Sequence, residues 1–338
     1  MTPADLLGAV LVTALVFYAL LAGADFGGGI WDLLLRGPRT REARALIEEA
    51  IGPIWEANHV WLILVVVVLF TGFPPAFAAV SIALFVPLVI LLFGIVLRGA
   101  AFTFRTYDRP DDAVHARWTF LFSASSVLAP LALGVVVGAL ASGRIGGPRG
   151  TIPDPFAWLA PFPLAVGLFA AVVFAYLAAT YLAVEAEGAL RDDFRRRAIG
   201  AGVAVFVAAL LAAALSWREA PIVFEGLTRR GWSLPLHAAT GLAAIAAFWG
   251  LFTRRVRLAR AAAAVQVALI VAGWAASQYP WIVVGGMTLE SASAPRHVQV
   301  VLLWALAIGA VALFPALYLL FRVFKGERPL GIVDREKP

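Results

Sequence analysis

The 338-residue sequence contains no cysteine, two methionines and four histidines, and charged side chains make up only 14% of it. Without cysteine there is no disulfide, no thiolate metal site, no Fe–S cluster and no thioether-linked haem. Scarce charge excludes a disordered chain. It also argues against a water-soluble domain, in which about 25% of residues are charged. What fills the chain instead is apolar. Residues of the AVILMFWYC set make up 62% and the mean hydropathy is +0.89. A soluble fold cannot hide that much apolar side chain. The composition therefore predicts an all-α, polytopic membrane helix bundle.

Met1 to Asp5 carry no basic side chain and precede an apolar run too long for the core of a cleavable signal. Thr2, Pro3 and Asp5 read as the cap, first and third positions of a helix that begins there. Nine spans are expected, at 6–30, 53–71, 75–97, 118–141, 157–183, 199–217, 234–252, 259–282 and 297–321. Each supplies the roughly 20 apolar residues that cross a bilayer. Gly72, Phe73, Pro74 and Pro75 read as a tight turn between the second and third.

If the N-terminus is outside, all but six of the 27 Lys and Arg residues fall in inner segments; the six are Arg144, Arg149, Arg218, Arg229, Arg230 and Arg296. That bias predicts N-out, C-in, and makes the basic balance a topology signal rather than a sign of nucleic-acid binding. Trp158, Trp217, Trp232 and Trp281 fall near span ends, as interface anchors do. The longest loops, 98–117 and 218–233, are too short for a soluble domain. The chain reads as one integral-membrane domain, 1–338, with a faint internal echo. Val16–Leu20 resembles Val173–Leu177, and a basic loop and then Ala-Ile-Gly follows each, at Ala50–Gly52 and Ala198–Gly200. The echo suggests a pseudo-repeat of 1–141 and 157–282, giving two four-helix bundles with 297–321 as a peripheral ninth helix. Alanine-rich spans also resemble one another without duplication.

Ionisable groups inside spans are candidates for function by default. Asp25 lies about 28 Å of helix rise beyond Leu6, near the inner edge of the hydrocarbon. Glu56 follows the start of the second span from the same side, and His59 is one turn deeper. Two carboxylates and an imidazole at increasing depth can pass protons inward through water. The plainer alternative is that the carboxylates reach interfacial water or pair with Arg36 or Arg98. Trp55, Asn58, His59 and Leu62 share one helical face, whereas Glu56 is about 160° from Asn58, so those two cannot enter one cavity. Gly23 and Gly27, and Gly134 and Gly138, have the spacing of close helix contacts. The Gly27–Gly29 run lacks the strand and Lys-Ser/Thr of a phosphate loop. His115 lies in an inner loop and His237 and His297 near outer ends. Only His59 is deep, so no haem or metal is expected on this chain alone.

Several stretches together resemble subunit II of the cytochrome bd-type quinol oxidases. They are Ala24–Gly29 (ADFGGG), Gly52–Leu62 (GPIWEANHVWL), Leu69–Pro74 (LFTGFP), Leu97–Phe102 (LRGAAF), and Tyr279-Pro280 with Thr288-Leu289. The likeness implies a heterodimer with a similar-sized subunit I that ligates haems b558, b595 and d and carries the quinol site. Such a complex oxidises quinol, reduces O2 to water with protons taken from the cytoplasm, and sits in the bacterial or archaeal plasma membrane. It can also carry a structural quinone and a small accessory membrane subunit. Subunit II is implied to hold no haem iron and to help deliver protons toward haem d. Asp25 and Glu56 match the family's acidic positions, Trp55, Asn58 and Trp61 its Trp, Asn and Trp positions, and His59 a position shared by His and Gln. Gly27 and Arg98 fall within matching motifs. Where the family has an acidic residue two places before the next arginine after Arg98, this chain has Thr103. The rival reading is a secondary transporter or proton-coupled carrier. It would show inverted repeats and charges near the membrane midplane. Here the repeat units both begin outside and the acids lie near one face.

Overall fold

The computed structural model describes residues 1–107, 113–145 and 154–325; of these, the side chains of 51–56, 106, 107, 113, 321, 324 and 325 fall outside the description. Helices dominate: α1 (Pro3–Leu34), α2 (Thr40–Gly72), α3 (Pro74–Ala83), α4 (Phe85–Tyr107), α5 (Ala113–Ala141), α6 (Pro161–Glu185), α7 (Gly188–Glu219), α8 (Pro221–Arg229), α9 (Ser233–Phe252), α10 (Val256–Gln278) and α11 (Arg296–Lys325). A two-stranded antiparallel hairpin, β1 (Trp281–Val283) and β2 (Met287–Thr288), joins the last two helices. The expected start of α1 is present as a complete capping box. Asp5 N–H donates to Thr2 Oγ1 at 3.2 Å, and Thr2 N–H donates to the Asp5 carboxylate at 2.8 Å.

Among the described residues, eight helices are long and apolar enough to cross a bilayer. The bent pair Ala57–Gly72 and Pro74–Ala83, broken by 116°, brings the number to nine. The protein is therefore a multi-pass membrane helix bundle. The span expected at 75–97 is divided. Phe73 N–H caps α2 on Leu69 C=O, Pro74 opens α3, and the third crossing helix is α4. Pro87 explains the second break. It has no N–H to return to Ala83 C=O, so α3 cannot continue, yet in the first turn of α4 that N–H is not needed. Segments expected as loops are also helical. α4 runs on through Arg98 to Tyr107, and α8 occupies much of 218–233.

Two helices are central. α1 packs against α2, α5, α6, α10 and α11, and α6 packs against α1, α5, α7 and α10. α4 lies on α5, and α9 on α10. The α1–α6 contact is close because of glycine. A Cβ on Gly27 would stand 2.0 Å from the Phe174 carbonyl oxygen, and one on Gly23 2.4 Å from a Leu177 methyl. Trp31 Nε1–H crosses the same seam to Ala175 C=O at 2.7 Å. Gly134 plays the same part between α5 and α6, where a Cβ would meet Val166 C=O at 2.6 Å. Around these seams lies the main core, with Tyr18, Phe26, Trp61, Phe174 and Tyr176 as its large members.

Candidate functional site: two rungs of buried ion pairs

Close packing at Gly23 and Gly27 fixes the turn of α1 that carries Asp25 against α2, α4 and α5. Asp25 is fully buried. One carboxylate oxygen accepts from Arg98 Nη2 at 2.5 Å, and the other accepts from Asn58 Nδ2 at 3.2 Å. Arg98 is 1% exposed and shares its remaining donors. Nη2 also donates to the Asp25 main-chain carbonyl, and Nε to Ser126 Oγ, each at 3.0 Å. Ser126 is free to accept because its own proton goes to Phe122 C=O at 2.7 Å. The guanidinium lies 4.9 Å from the Phe26 ring centre and 4.8 Å from that of Phe122. A buried charge pair persists only when its other valences are met in this way, and two aromatic faces add to the hold on the cation.

Seven residues further along α1 and α4, about 10 Å of helix rise, the pattern recurs. Asp32 is fully buried and takes Arg105 Nη1 at 2.5 Å and Arg44 Nε at 2.7 Å. Arg105, nearly buried itself, also pairs with Glu48, which is half exposed. Ser123 Oγ lies 3.3 Å from Asp32. Phe122 serves both rungs, because the Arg105 guanidinium is 5.3 Å from its ring centre. Each rung balances its formal charges: Asp25 with Arg98, and Asp32 and Glu48 with Arg44 and Arg105.

The structure brings together Asp25, Asn58 and Arg98 from the residues singled out in the sequence. Of the two arginines considered for Asp25, Arg98 is the partner, and Arg36 is exposed. Arg98 is thus no loop residue at the membrane surface. Trp61 is 3% exposed and stacks on Phe17 with ring centres 4.3 Å apart. Asn58 Oδ1 and Trp61 Nε1 are both buried without a hydrogen-bond partner among the described residues. His59 is half-buried on α2. Trp55 and Glu56 lie outside the residues whose side chains are described. Sequence reasoning missed Asp32, Arg105, Arg44, Glu48 and Ser126. The available signal was the repeated seven-residue step, Asp25 to Asp32 and Arg98 to Arg105, on helices that outrun the bilayer. Thr103, where the family has an acid, donates its hydroxyl back to Gly99 C=O at 3.1 Å. Among the described residues, no group of three or more His, Cys, Asp or Glu side chains could hold a metal ion. His237 Nδ1 sits 2.6 Å from Ser233 C=O.

Comparison with known proteins agrees with this architecture. The profile of the family described as cytochrome bd terminal oxidase subunit II matches residues 4–324. The cytochrome bd ubiquinol oxidase subunit 2 of Bacillus subtilis is 30% identical over 66% of this chain and 64% of its own length. The putative cytochrome bd menaquinol oxidase subunit II of the same organism is 21% identical over 92% of each chain. The cytochrome bd-I ubiquinol oxidase subunit 2 of Escherichia coli is 27% identical over 59% of this chain and 53% of its own. This chain therefore spans between half and two thirds of two of these relatives. The solved bd oxidase from Geobacillus thermodenitrificans contains a chain of the same fold, with a TM-score of 0.81 over 97% of this chain and 100% of that one, at 22% identity. With a family profile that runs nearly end to end, and a whole-chain fold match behind it, this protein belongs to the cytochrome bd terminal oxidase subunit II family.

Proposed function

We propose that this chain is the haem-free subunit II of a bd-type quinol:O2 oxidoreductase in the plasma membrane. It pairs with a subunit I that holds haems b558, b595 and d, lies N-out and C-in, and supplies a cytoplasmic-side proton route at Asp25, Glu56 and His59. The observation that carries the reading is the fully buried Asp25, hydrogen-bonded through Asn58 to α2, the helix that also bears Glu56 and His59. Ionisable groups at that depth are retained where charge or protons must be handled. The second rung supports the direction of the route. It leads from Asp25 toward the ends of α1 and α4, and its outermost members, Glu48 and Arg44, are partly exposed there.

The test is quinol-driven O2 consumption by the complex purified from native membranes. Glu56→Gln is expected to slow turnover by tenfold or more, in keeping with the roughly 10²–10⁴-fold that positioned proton-transfer groups contribute, while haem content stays unchanged. Normal turnover with normal proton uptake would remove Glu56 from the route.

A further inference from the structure

Asn58 and Trp61 present an imbalance that the rest of the site does not. The carboxylate of Asp25 has only acceptors to offer, so it fixes the Asn58 side chain with its NH2 inward, donating at 3.2 Å. Turning the amide over would set oxygen against oxygen. Oδ1 is therefore aimed away from Asp25, in a residue 1% exposed, and it has no donor among the described residues. One helical turn further from the N-terminus of α2, Trp61 has the opposite need. Its indole can only donate, it is 3% exposed, and Nε1–H has no acceptor among the described residues. Stacking on Phe17 holds the ring in place, so Trp61 cannot turn away to find one.

An acceptor and a donor, three residues apart on one helix, face the same side at about 5–6 Å between Cβ atoms. Buried polar atoms are satisfied in nearly every native protein, by water where the protein itself does not reach. A buried water needs at least two polar partners in a polar setting. The buried Asp25–Arg98 pair and the phenol of Tyr18, which lies within electrostatic reach of both charges, supply the setting. A donor and an acceptor one turn apart on α10, Trp274 Nε1 and Gln278 Oε1, also lack partners among the described residues, but the α2 pair adjoins a buried ion pair.

We propose that Asn58 Oδ1 and Trp61 Nε1–H bind an internal water that forms the next station of the proton route beyond Asp25. The inference rests on the proposed function for its role, though not for the presence of the water. The water donates one proton to Asn58 Oδ1 and accepts from Trp61 Nε1–H. It keeps one O–H and one lone pair for its neighbours. A proton arriving on the lone pair makes hydronium, a different proton leaves along the free O–H, and the water is restored with no change in atoms or charge. Asn58 and Trp61 carry no proton themselves; they are positioning residues. The station lies on the Asn58–Trp61 face of α2, one turn past Asp25 toward the end at Gly72.

The experiment uses the assembly that purifies with this chain, in two arms. A high-resolution density map is expected to show solvent within about 2.7–3.2 Å of both atoms. Direct protein contacts that satisfy both atoms, with no solvent there, would overturn the proposal. In the second arm, Trp61→Phe keeps an aromatic ring against Phe17 and removes the donor together with part of the indole's volume. Turnover is expected to fall about fivefold, the factor one hydrogen bond of ordinary net strength represents. The solvent deuterium isotope effect should rise with KM for quinol unchanged; the lost volume lowers the melting temperature but would not by itself raise the isotope effect. Asn58→Leu should likewise slow turnover and raise the isotope effect, with a lower melting temperature because the Asp25 carboxylate loses its amide donor. Wild-type turnover and isotope effect in Trp61→Phe, beside a slow Glu56→Gln, would overturn the station and leave the route. Wild-type behaviour in both would overturn the station and the route.

Discussion

At the scale of single residues, the determining feature is that Asp25 and Arg98 are buried together and that neither tolerates burial alone. Removing one partner leaves an uncompensated charge, which costs about 3–5 kcal/mol in well-ordered proteins. Asp25→Ala and Arg98→Ala are each expected to lower the midpoint of thermal unfolding in detergent and to reduce recovery of the assembled complex. Asp25→Leu combined with Arg98→Met should regain most of that loss, because the two apolar chains need no counter-charge. A double-mutant cycle measures this directly, and strict additivity would mean the pair is not a unit. The sequence makes Asp25, Asn58 and Arg98 candidates because charged and polar groups stand out in apolar runs. It does not disclose that Asn58 turns its amide toward Asp25. Nor does it draw attention to Asp32 and Arg105, since they fall where hydropathy fades and side chains are assumed to meet water.

At the scale of elements, glycine sets how closely α1 and α6 approach. Gly27→Val is expected to force the helices apart, because even a Cβ there would collide with main-chain oxygen. The loss should be visible as a lower unfolding midpoint and a weakened contact at Trp31. Gly200→Ala, whose added carbon meets nothing beyond its own helix backbone within 4 Å among the described residues, should leave the midpoint nearly unchanged. The seams at Gly23–Gly27 and Gly134–Gly138 were legible from spacing alone, as was the capped start of α1. The break of the third span was not. Gly72 to Pro75 announces one turn, whereas the structure has two, and the second depends on Pro87, which looks harmless inside an apolar stretch. Several expected spans also stopped short of the true helix ends, which lie farther from the membrane. Hydropathy tracks the lipid boundary, but hydrogen-bonded helices continue past it until a cap stops them, as α4 and α7 do.

For the whole molecule, helices α1, α2, α4 and α5 and then α6, α7, α9 and α10 follow in the order that a duplicated four-helix unit would give, and we propose that reading. α1 and α6, the first helix of each unit, form the central seam. If the units are equivalent, both begin on the outer face. Single cysteines introduced near residues 150 and 230 should then react with an impermeant thiol reagent added to intact cells. Cysteines near 38 and 255 should react only after permeabilisation; the chain's own lack of cysteine leaves no background. The reverse labelling pattern would invert the proposed orientation. Affinity purification at native expression should also bring down a haem-bearing chain of similar size, read from the absorption spectrum. A colourless preparation that exchanges solute in vesicles would favour a carrier instead.

α11 stands apart from this plan. It touches α2 and α1, and none of its most apolar stretch is buried within the chain. Its 30 residues are long enough to cross the hydrocarbon on their own. Its exposed Val301 and Val311 therefore look onto lipid or another subunit rather than onto this chain's own core, so a charged side chain at either would leave the packing of α1 to α10 intact and act on whatever lies outside.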